Sequence, residues 1–366
     1  MMKVTINNEM LALLLKIERN KVFVSSARLP LSLLAKLRKN TKKKTSFATN
    51  KIEGNPLSEE QADKAMEDPH KHGLSPEQEM RNVYLALTLL EAKLEKKEPV
   101  SLQLVLDIQA TVMAGASKEK IGLRGEMPPG VLFAVYDSRS GSPGYIPPEA
   151  QDVKPLLSNL MDYLMNSTDH PIIKAAVAHY ELVTIHPFED GNGRTARLLC
   201  DYILDYYGYG FNRLGSLDEY FFYNLDEYYA SLQMGLPALY YDGRNNPPHS
   251  EVWILYFLRM MDLYSSKVAE LSLGSARSQI SASLSHLSKA DKAFLGYLLK
   301  NDISAFRPID LVKKVKKSNR TIAIYAASLS ENGFLIPSLK KKRITSYSLD
   351  SFASDNKEEI LDELKK

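Results

Sequence analysis

"HPFEDGNGRTAR", residues 186–197, is almost devoid of apolar side chains, yet it lies between two segments that look like protein interior. "PIIKAAVAHYELVTI" precedes it and "GRTARLLCDYIL" continues from it, both with the apolar spacing of helices. One helix therefore ends near His186, and the next begins around Gly191 to Gly193. Helix N-termini present unpaired N–H groups and the positive end of the helix dipole, and glycines let an anion come close to the backbone. Arg194 and Arg197 are three residues apart and share a helix face, so both can clamp a polyphosphate. Asp190 can hold a magnesium ion, which prefers a carboxylate and phosphate oxygens with water completing its shell. Asn192 can donate to a phosphate oxygen. His186 titrates near neutrality and can take a proton from an attacking hydroxyl. A surface turn would explain one glycine or one histidine of this string, but not the whole spacing.

Outward from this stretch the chain is mostly helical in pattern. "NEMLALLLKIERNKVF", "LPLSLLAKLRKN", "SPEQEMRNVYLALTLLEAKLEKK", "LQLVLDIQATVMAG" and "AQDVKPLLSNLMDYLMNS" all carry helical periodicity, as do "LDEYFFYNLDEYYASLQM" and "SEVWILYFLRMMDLYSSKVAEL". The break lies at 122–148, where glycine and proline bracket a β-type run, "VLFAVYD", and "YIPP" follows a Ser/Gly/Pro turn; this reads as an irregular hairpin. "SLGSARSQISAS" is the best linker candidate. The chain has 366 residues and a net charge of +3, but residues 285–349 hold thirteen basic residues against four acids, so the remainder is acidic. Such asymmetry suggests a segment with its own partner. The single cysteine, Cys200, excludes an internal disulfide and a cysteine-based zinc site. No run has the apolar length of a membrane span and no secretory cleavage site is apparent, so a cytoplasmic location is expected.

The 186–197 stretch resembles the Fic (Fido) family signature H-x-F-x-[DE]-G-N-G-R-x-x-R, matching at His186, Phe188, Asp190, Gly191, Asn192, Gly193, Arg194 and Arg197. The resemblance implies a mainly α fold, a Fic-type helical domain with a β-hairpin flap that clamps the target. It also implies transfer of AMP from ATP to a hydroxyl of a protein target. His186 would be the base and Asp190 the Mg2+ ligand. Asn192 with the Gly191 and Gly193 amides would cradle phosphate, and Arg194 and Arg197 would hold the β- and γ-phosphates. Related Doc-type kinases have a degenerate motif, whereas here both arginines and the glycines are intact. "EYYASL", with Tyr228 and Tyr229, resembles the segment lining the adenine pocket, although both tyrosines read equally well as core aromatics. The hairpin occupies the flap position but is longer than in many relatives.

A second stretch, "TNKIEGN" at 49–55, is similar to the family's inhibitory motif [ST]-x-x-x-E-[GN]. Thr49 and Glu53 are four apart on an expected helix that Gly54 ends. A carboxylate on Arg197 would neutralise the γ-phosphate clamp and fill its space. The basic segment reads as helix, short strand, helix, turn, helix and hairpin, and resembles a winged helix-turn-helix domain. Lys316, Lys317, Asn319 and Arg320 then start the helix that meets DNA, with Lys341, Lys342 and Arg343 in the wing. A protein-binding winged helix is the alternative.

The expected organisation is a helical N-terminal region at 1–100 with the inhibitory helix near 45–54, then the catalytic core with flanking helices at 101–275. A linker at 276–284, a winged helix domain at 285–350 and a tail at 351–366 follow. The expected activity is that of an autoinhibited protein adenylyltransferase using ATP and Mg2+ on a Tyr, Thr or Ser of a target protein, itself included, with a homodimer suggested by family analogy. The competing readings are a nucleotide-sensing, DNA-binding transcriptional regulator, and a related enzyme that transfers another nucleotide or removes AMP.

Overall fold

The computed structural model describes residues 1–27, 29, 31–67, 73–136, 143–236, 247–340 and 343–365. The fold is mainly α. Two compact units are present, a larger one of Met1–Ser26 and Pro30–Ala269 and a smaller one of Ala27–Leu29 and Glu270–Lys366.

The larger unit opens with α1 (Asn8–Ser26), α2 (Leu31–Ile52), α3 (Glu59–Glu67), α4 (Pro76–Glu95) and α5 (Leu102–Val112). Ser75 and Ser101 cap α4 and α5 by accepting from the backbone N–H three residues on, at 3.2 Å each. A short hairpin follows, β1 (Val135–Tyr136) antiparallel to β2 (Pro143–Tyr145), and then α6 (Ala150–Asn166). The "VLFAVYD" run is thus strand only over two residues. α7 (Pro171–Ile185) and α8 (Asn192–Tyr206) form the centre. α7 is buried on nearly every side, its polar Lys174, His179 and Glu181 included, as a helix at the middle of a bundle is. α9 (Leu217–Tyr223) and α10 (Leu225–Gln233) come from what reads as one helix; Asn224 leaves helical geometry at φ −133°, ψ 71°, and its side chain caps Glu227 N–H at 3.4 Å. The first turns of α11 (Ser250–Ser285) bring Trp253, whose indole N–H donates to Ala176 carbonyl at 2.9 Å, into the same core.

The N-terminal region expected as a separate stretch, 1–100, belongs to this same unit. α2 and α4 pack on one another and on α8, while α2 also covers α9 and α4 also covers α3 and α5. The physical consequence is that the end of α2 is held against the N-terminal half of α8.

The smaller unit contains α12 (Lys289–Lys300), β3 (Ala305–Phe306), α13 (Pro308–Val315), α14 (Asn319–Glu331), β4 (Leu335–Lys340), β5 (Arg343–Leu349), α15 (Ser351–Asp355) and α16 (Lys357–Glu363). Its three strands pair antiparallel in the order β3-β5-β4. Two expectations change here. Residues 276–284 are helical, part of α11, because nothing in "ARSQISASL" breaks a helix and Ile280 and Leu284 are buried in this unit's core. Residues 351–365 are not a loose tail: Ala353, Ile360 and Leu361 are buried in the same core, and Lys357 pairs with Asp302 at 2.5 Å. Among the described residues no helix is long and apolar enough to cross a membrane.

Candidate active site

α7 ends at His186, which adopts the left-handed conformation, φ 50° and ψ 58°, with its N–H on Leu182 carbonyl at 3.0 Å. A non-glycine residue held there stores strain of the kind found at functional sites. The His186 Nδ1–H donates to Val183 carbonyl at 3.3 Å, which leaves Nε2 as the lone-pair nitrogen of the neutral ring. Burial pulls the His186 pKa down to about 4, against the opposing pull of the Val183 carbonyl; Arg124 lowers it further, and Glu53 and Asp190 raise it. The titration near neutrality expected from sequence is therefore displaced, and the ring is a neutral base at physiological pH.

The turn from Pro187 to Gly191 is pinned at several points. Asn192 Oδ1 accepts Phe188 N–H at 3.0 Å, and its Nδ2 donates back to Phe188 carbonyl at 2.9 Å. This corrects the expectation for Asn192: its carboxamide closes the loop on both sides of the buried Phe188 and does not face a phosphate as its main contact. Arg124, 6% exposed, is a residue that sequence reasoning passed over. Its backbone N–H donates to Pro187 carbonyl and its Nε to His186 carbonyl, both at 2.9 Å, and its Nη2 reaches Pro148 carbonyl. Its guanidinium also lies 4.8 Å from the Phe133 ring centroid. One side chain thus joins the base, the loop and both sides of the hairpin. Its place in "GLRGEMPPG" carries no periodic signal.

Both glycines have specific steric reasons. Gly191 has φ 81°, and a Cβ there would lie 3.1 Å from Met113 Sδ. A Cβ on Gly193 would lie 2.2 Å from Glu53 Oε1. The space over the start of α8, where an anion would approach the backbone, is thus where Glu53 now sits. Asp190 Oδ1 accepts Gly191 N–H at 2.6 Å and Arg194 Nη2 at 3.3 Å, and the side chain is 41% exposed.

Glu53 is the C-cap of α2. Asn55 N–H bonds Asn50 carbonyl at 3.0 Å, Gly54 N–H bonds Lys51 carbonyl at 3.0 Å, and Gly54 takes φ 84°, the pattern of a glycine-terminated helix. This geometry points the Glu53 carboxylate at Arg197, with Oε1 at 2.6 Å from Nη2. Thr49, one turn back, accepts Arg197 Nε at its hydroxyl (2.5 Å) and Nη2 at its carbonyl (3.1 Å). Arg197 is 1% exposed; burial lowers its pKa, but Glu53, Tyr228 and Asp218 outweigh that and hold it well above its ordinary value. Burial raises the Glu53 carboxyl, yet Arg197 and Arg194 carry it below the ordinary value, so it is ionised. Arg194, 3% exposed, has Nη1 at 3.2 Å from Glu79 Oε1 of α4, a contact between residues 115 positions apart that no local pattern announces.

Tyr228 and Tyr229 separate. Tyr228 is 1% exposed among Phe221, Trp253 and Tyr256, with its hydroxyl 2.9 Å from His179 Nε2 and 3.4 Å from Arg197 Nη1. It lies beneath Arg197 as a core aromatic, so the adenine-pocket expectation does not fit it. Tyr229 is 47% exposed and donates to Ile52 carbonyl, at the end of α2, at 3.2 Å. In the smaller unit Lys316, Lys317, Asn319 and Arg320 are all exposed around the Ser318 cap of α14. Arg343 begins β5, and Lys341 and Lys342 lie outside the described residues. Ile324 on α14 is 57% exposed, an apolar side chain on the helix that carries this basic turn.

Residues 99–204 match the family model described as "Fic/DOC family". The protein adenylyltransferase fic-1 of Caenorhabditis elegans is 33% identical over 168 residues, 43% of this chain and 30% of that protein. The protein adenylyltransferase Fic of Drosophila erecta is 34% identical over 134 residues, 36% of this chain and 25% of that one. The chain thus spans less than a third of the length of these curated relatives. Among solved structures, a Fic family protein from Desulfovibrio desulfuricans G20 superposes with a TM-score of 0.58 at 19% identity, covering 96% of this chain and 98% of its own. A Fic-1 fragment from C. elegans gives 0.55 at 25% identity, covering 74% and 73%.

Proposed function

We propose that this chain, whose residues 99–204 match the Fic/DOC family model, is an ATP-dependent protein adenylyltransferase held in check by its own Glu53. The observation that carries the reading is the pair at 2.6 Å between Glu53 and Arg197, with Glu53 near enough to a neutral His186 to act on its charge. Its family relatives named protein adenylyltransferase supply the class of reaction. In the proposed reaction His186 Nε2 takes the proton of a Tyr, Thr or Ser hydroxyl on a target protein. That oxygen bonds to the α-phosphorus of ATP, the bond to the β-phosphate bridging oxygen breaks, and pyrophosphate leaves. Arg194 and Arg197 neutralise the leaving phosphates, and the N–H groups at the start of α8 orient them. Arg124 holds the His186 carbonyl and the hairpin in register, so that the base and the acceptor segment approach together.

Among the described residues no group of three or more His, Cys, Asp or Glu side chains could hold a metal by itself. Asp190 fits Mg2+ as a single exposed carboxylate beside a polyphosphate, the way this ion is ordinarily held. When bound with ATP, the ion would supply neutralisation of phosphate charge. For the smaller unit, we propose a winged helix whose exposed basic turn, Lys316 to Arg320, contacts nucleic acid; the exposure of these residues supports it. Salt-dependent retention on duplex DNA that is lost on Lys316→Ala/Lys317→Ala/Arg320→Ala tests it.

The transferase reading is tested by incubating wild type, Glu53→Gly and Glu53→Gly/His186→Ala with α-labelled ATP and Mg2+. The label should appear strongly on protein only with Glu53→Gly. No transfer by any of the three, with other labelled nucleotides also tried, removes the proposal.

A further inference from the structure

Arg194 is the less satisfied of the two clamps. Its Nε and Nη1 are buried and make no hydrogen bond among the described residues, and Nη2 has only the 3.3 Å contact to Asp190 and a 3.7 Å contact to Met113 Sδ. What covers Nη1 is Glu79, at 3.2 Å, meeting it as a charge outside hydrogen-bond geometry. An anion that is to bond Nη1 must move this carboxylate. Glu79 is also tied to the turn that carries Glu53. Its Oε2 accepts Asn55 Nδ2 at 2.8 Å, and its carbonyl lies 3.4 Å from Asn50 Nδ2. Asn55 in turn donates to Pro76 carbonyl at 3.0 Å and accepts Leu57 N–H at 3.1 Å, and its own N–H closes the end of α2 on Asn50.

We propose that Glu79 is a second inhibitory carboxylate at this site, on Arg194 as Glu53 is on Arg197, and that the Glu79–Asn55 hydrogen bond makes the two release together. The proposal rests on the reading that the two arginines hold phosphates. A triphosphate arriving at Arg194 displaces Glu79 and removes the partner of Asn55. The turn at Glu53–Asn55 then loses an anchor on α4, and Glu53 leaves Arg197 more readily. Conversely, while Glu53 is in place, Asn55 holds Glu79 over Arg194. Two carboxylates on one linked segment would hold nucleotide off more strongly than either alone, and each release lowers the cost of the other.

The test measures ATP affinity by titration calorimetry and AMP transfer from α-labelled ATP. The proteins are wild type, Glu79→Gln, Asn55→Ala, Glu53→Gly and Glu53→Gly/Glu79→Gln, each checked for an intact melting transition. Glu79→Gln should tighten ATP binding about fivefold to tenfold and raise transfer, the range expected for one partly wet ion pair. Asn55→Ala should move both in the same direction by less. In the Glu53→Gly background the gain from Glu79→Gln should shrink. If Glu79→Gln weakens ATP binding and lowers transfer in both backgrounds, Glu79 aligns Arg194 productively and the inference is overturned. Equal gains in both backgrounds with Asn55→Ala silent would overturn the link. Glu79→Asp, which keeps the charge and withdraws it by one methylene, replaces the Gln variant if that one does not fold. If ATP binds and no variant transfers AMP, the transferase reading fails while calorimetry still decides Glu79. If none binds ATP, both fall.

Discussion

Replacing Glu53 by Gln keeps the shape of the side chain and removes its charge, so it separates neutralisation of Arg197 from obstruction. The Arg197 guanidinium is 1% exposed and the Glu53 side chain 35% exposed, so the pair is dry on one side and wet on the other. A buried charge-assisted hydrogen bond contributes about 1.5–3 kcal/mol, and solvent at Glu53 discounts this to roughly 1–2 kcal/mol. That energy opposes a phosphate arriving at Arg197 and corresponds to about 5–30-fold in its apparent affinity. Glu53→Gly should go further, because it also empties the space over Gly193, where the carboxylate oxygen lies 2.2 Å from the position of a Cβ. Neither change strands Arg197, which keeps both Thr49 contacts and has Asp218 at 3.9 Å. The assay pairs ATP calorimetry with transfer of labelled AMP, and the expected order is wild type, then Gln, then Gly. Affinity and transfer within twofold of wild type for both variants, with melting transitions intact, would refute the reasoning and make Glu53 an ordinary helix cap.

Four further outcomes are expected. The pH profile of transfer by Glu53→Gly should stay flat from neutrality down to about pH 5 and fall near 4 or lower, because burial holds His186 at about 4 and the substitution removes Glu53, one of the groups that raise it. An acid limb near 6.5 would mean that the ring is solvated in the working state. The same shift has a stability sign. With the folded pKa depressed below the unfolded value, His186 favours unfolding progressively as pH falls from about 6.5 towards 4, and acid denaturation followed by circular dichroism should weaken in His186→Ala. Arg124→Ala removes the bonds to His186 and Pro148 carbonyls, and should cost about 2–4 kcal/mol of stability. It should also lower kcat more than it raises the KM for ATP; the reverse would place Arg124 in nucleotide binding. Gly193→Ala should destabilise the wild type by evicting Glu53, by roughly the 1–2 kcal/mol of that pair, and should cost little in Glu53→Gly; thermal melts of the four proteins close the cycle.

How far the site was legible varied residue by residue. His186, Asp190, Arg194 and Arg197 stand within twelve residues because one helix ends and another begins there, and local sequence determines where helices end. The Thr49–Glu53 motif was readable for the same reason, since a helix terminated by Gly54 places its cap by local geometry alone. The hairpin was legible as an interruption, although its strands proved shorter than the β-type run suggested. Tyr228 and Asn192 were readable as residues but not in their roles. A tyrosine beside a cleft and a tyrosine beneath it have the same local pattern, and an asparagine that closes its own loop is indistinguishable in sequence from one that faces a ligand.

What the sequence determined by itself is therefore the mainly helical class, the two ends of α7 and α8, and the chemistry those ends display. Tertiary structure decided which groups meet them. Glu53 is 144 residues from Arg197, and Glu79 reaches Arg194 only because α2 and α4 pack against α8. Arg124 binds the His186 carbonyl across 62 residues from an irregular segment without periodicity. The 276–284 and 351–365 segments became helix and core because buried neighbours overrode a serine-rich or tail-like composition. The His186 pKa also belongs to this second group, since a titration shift is set by burial and neighbouring charge, neither of which is written in the order of residues.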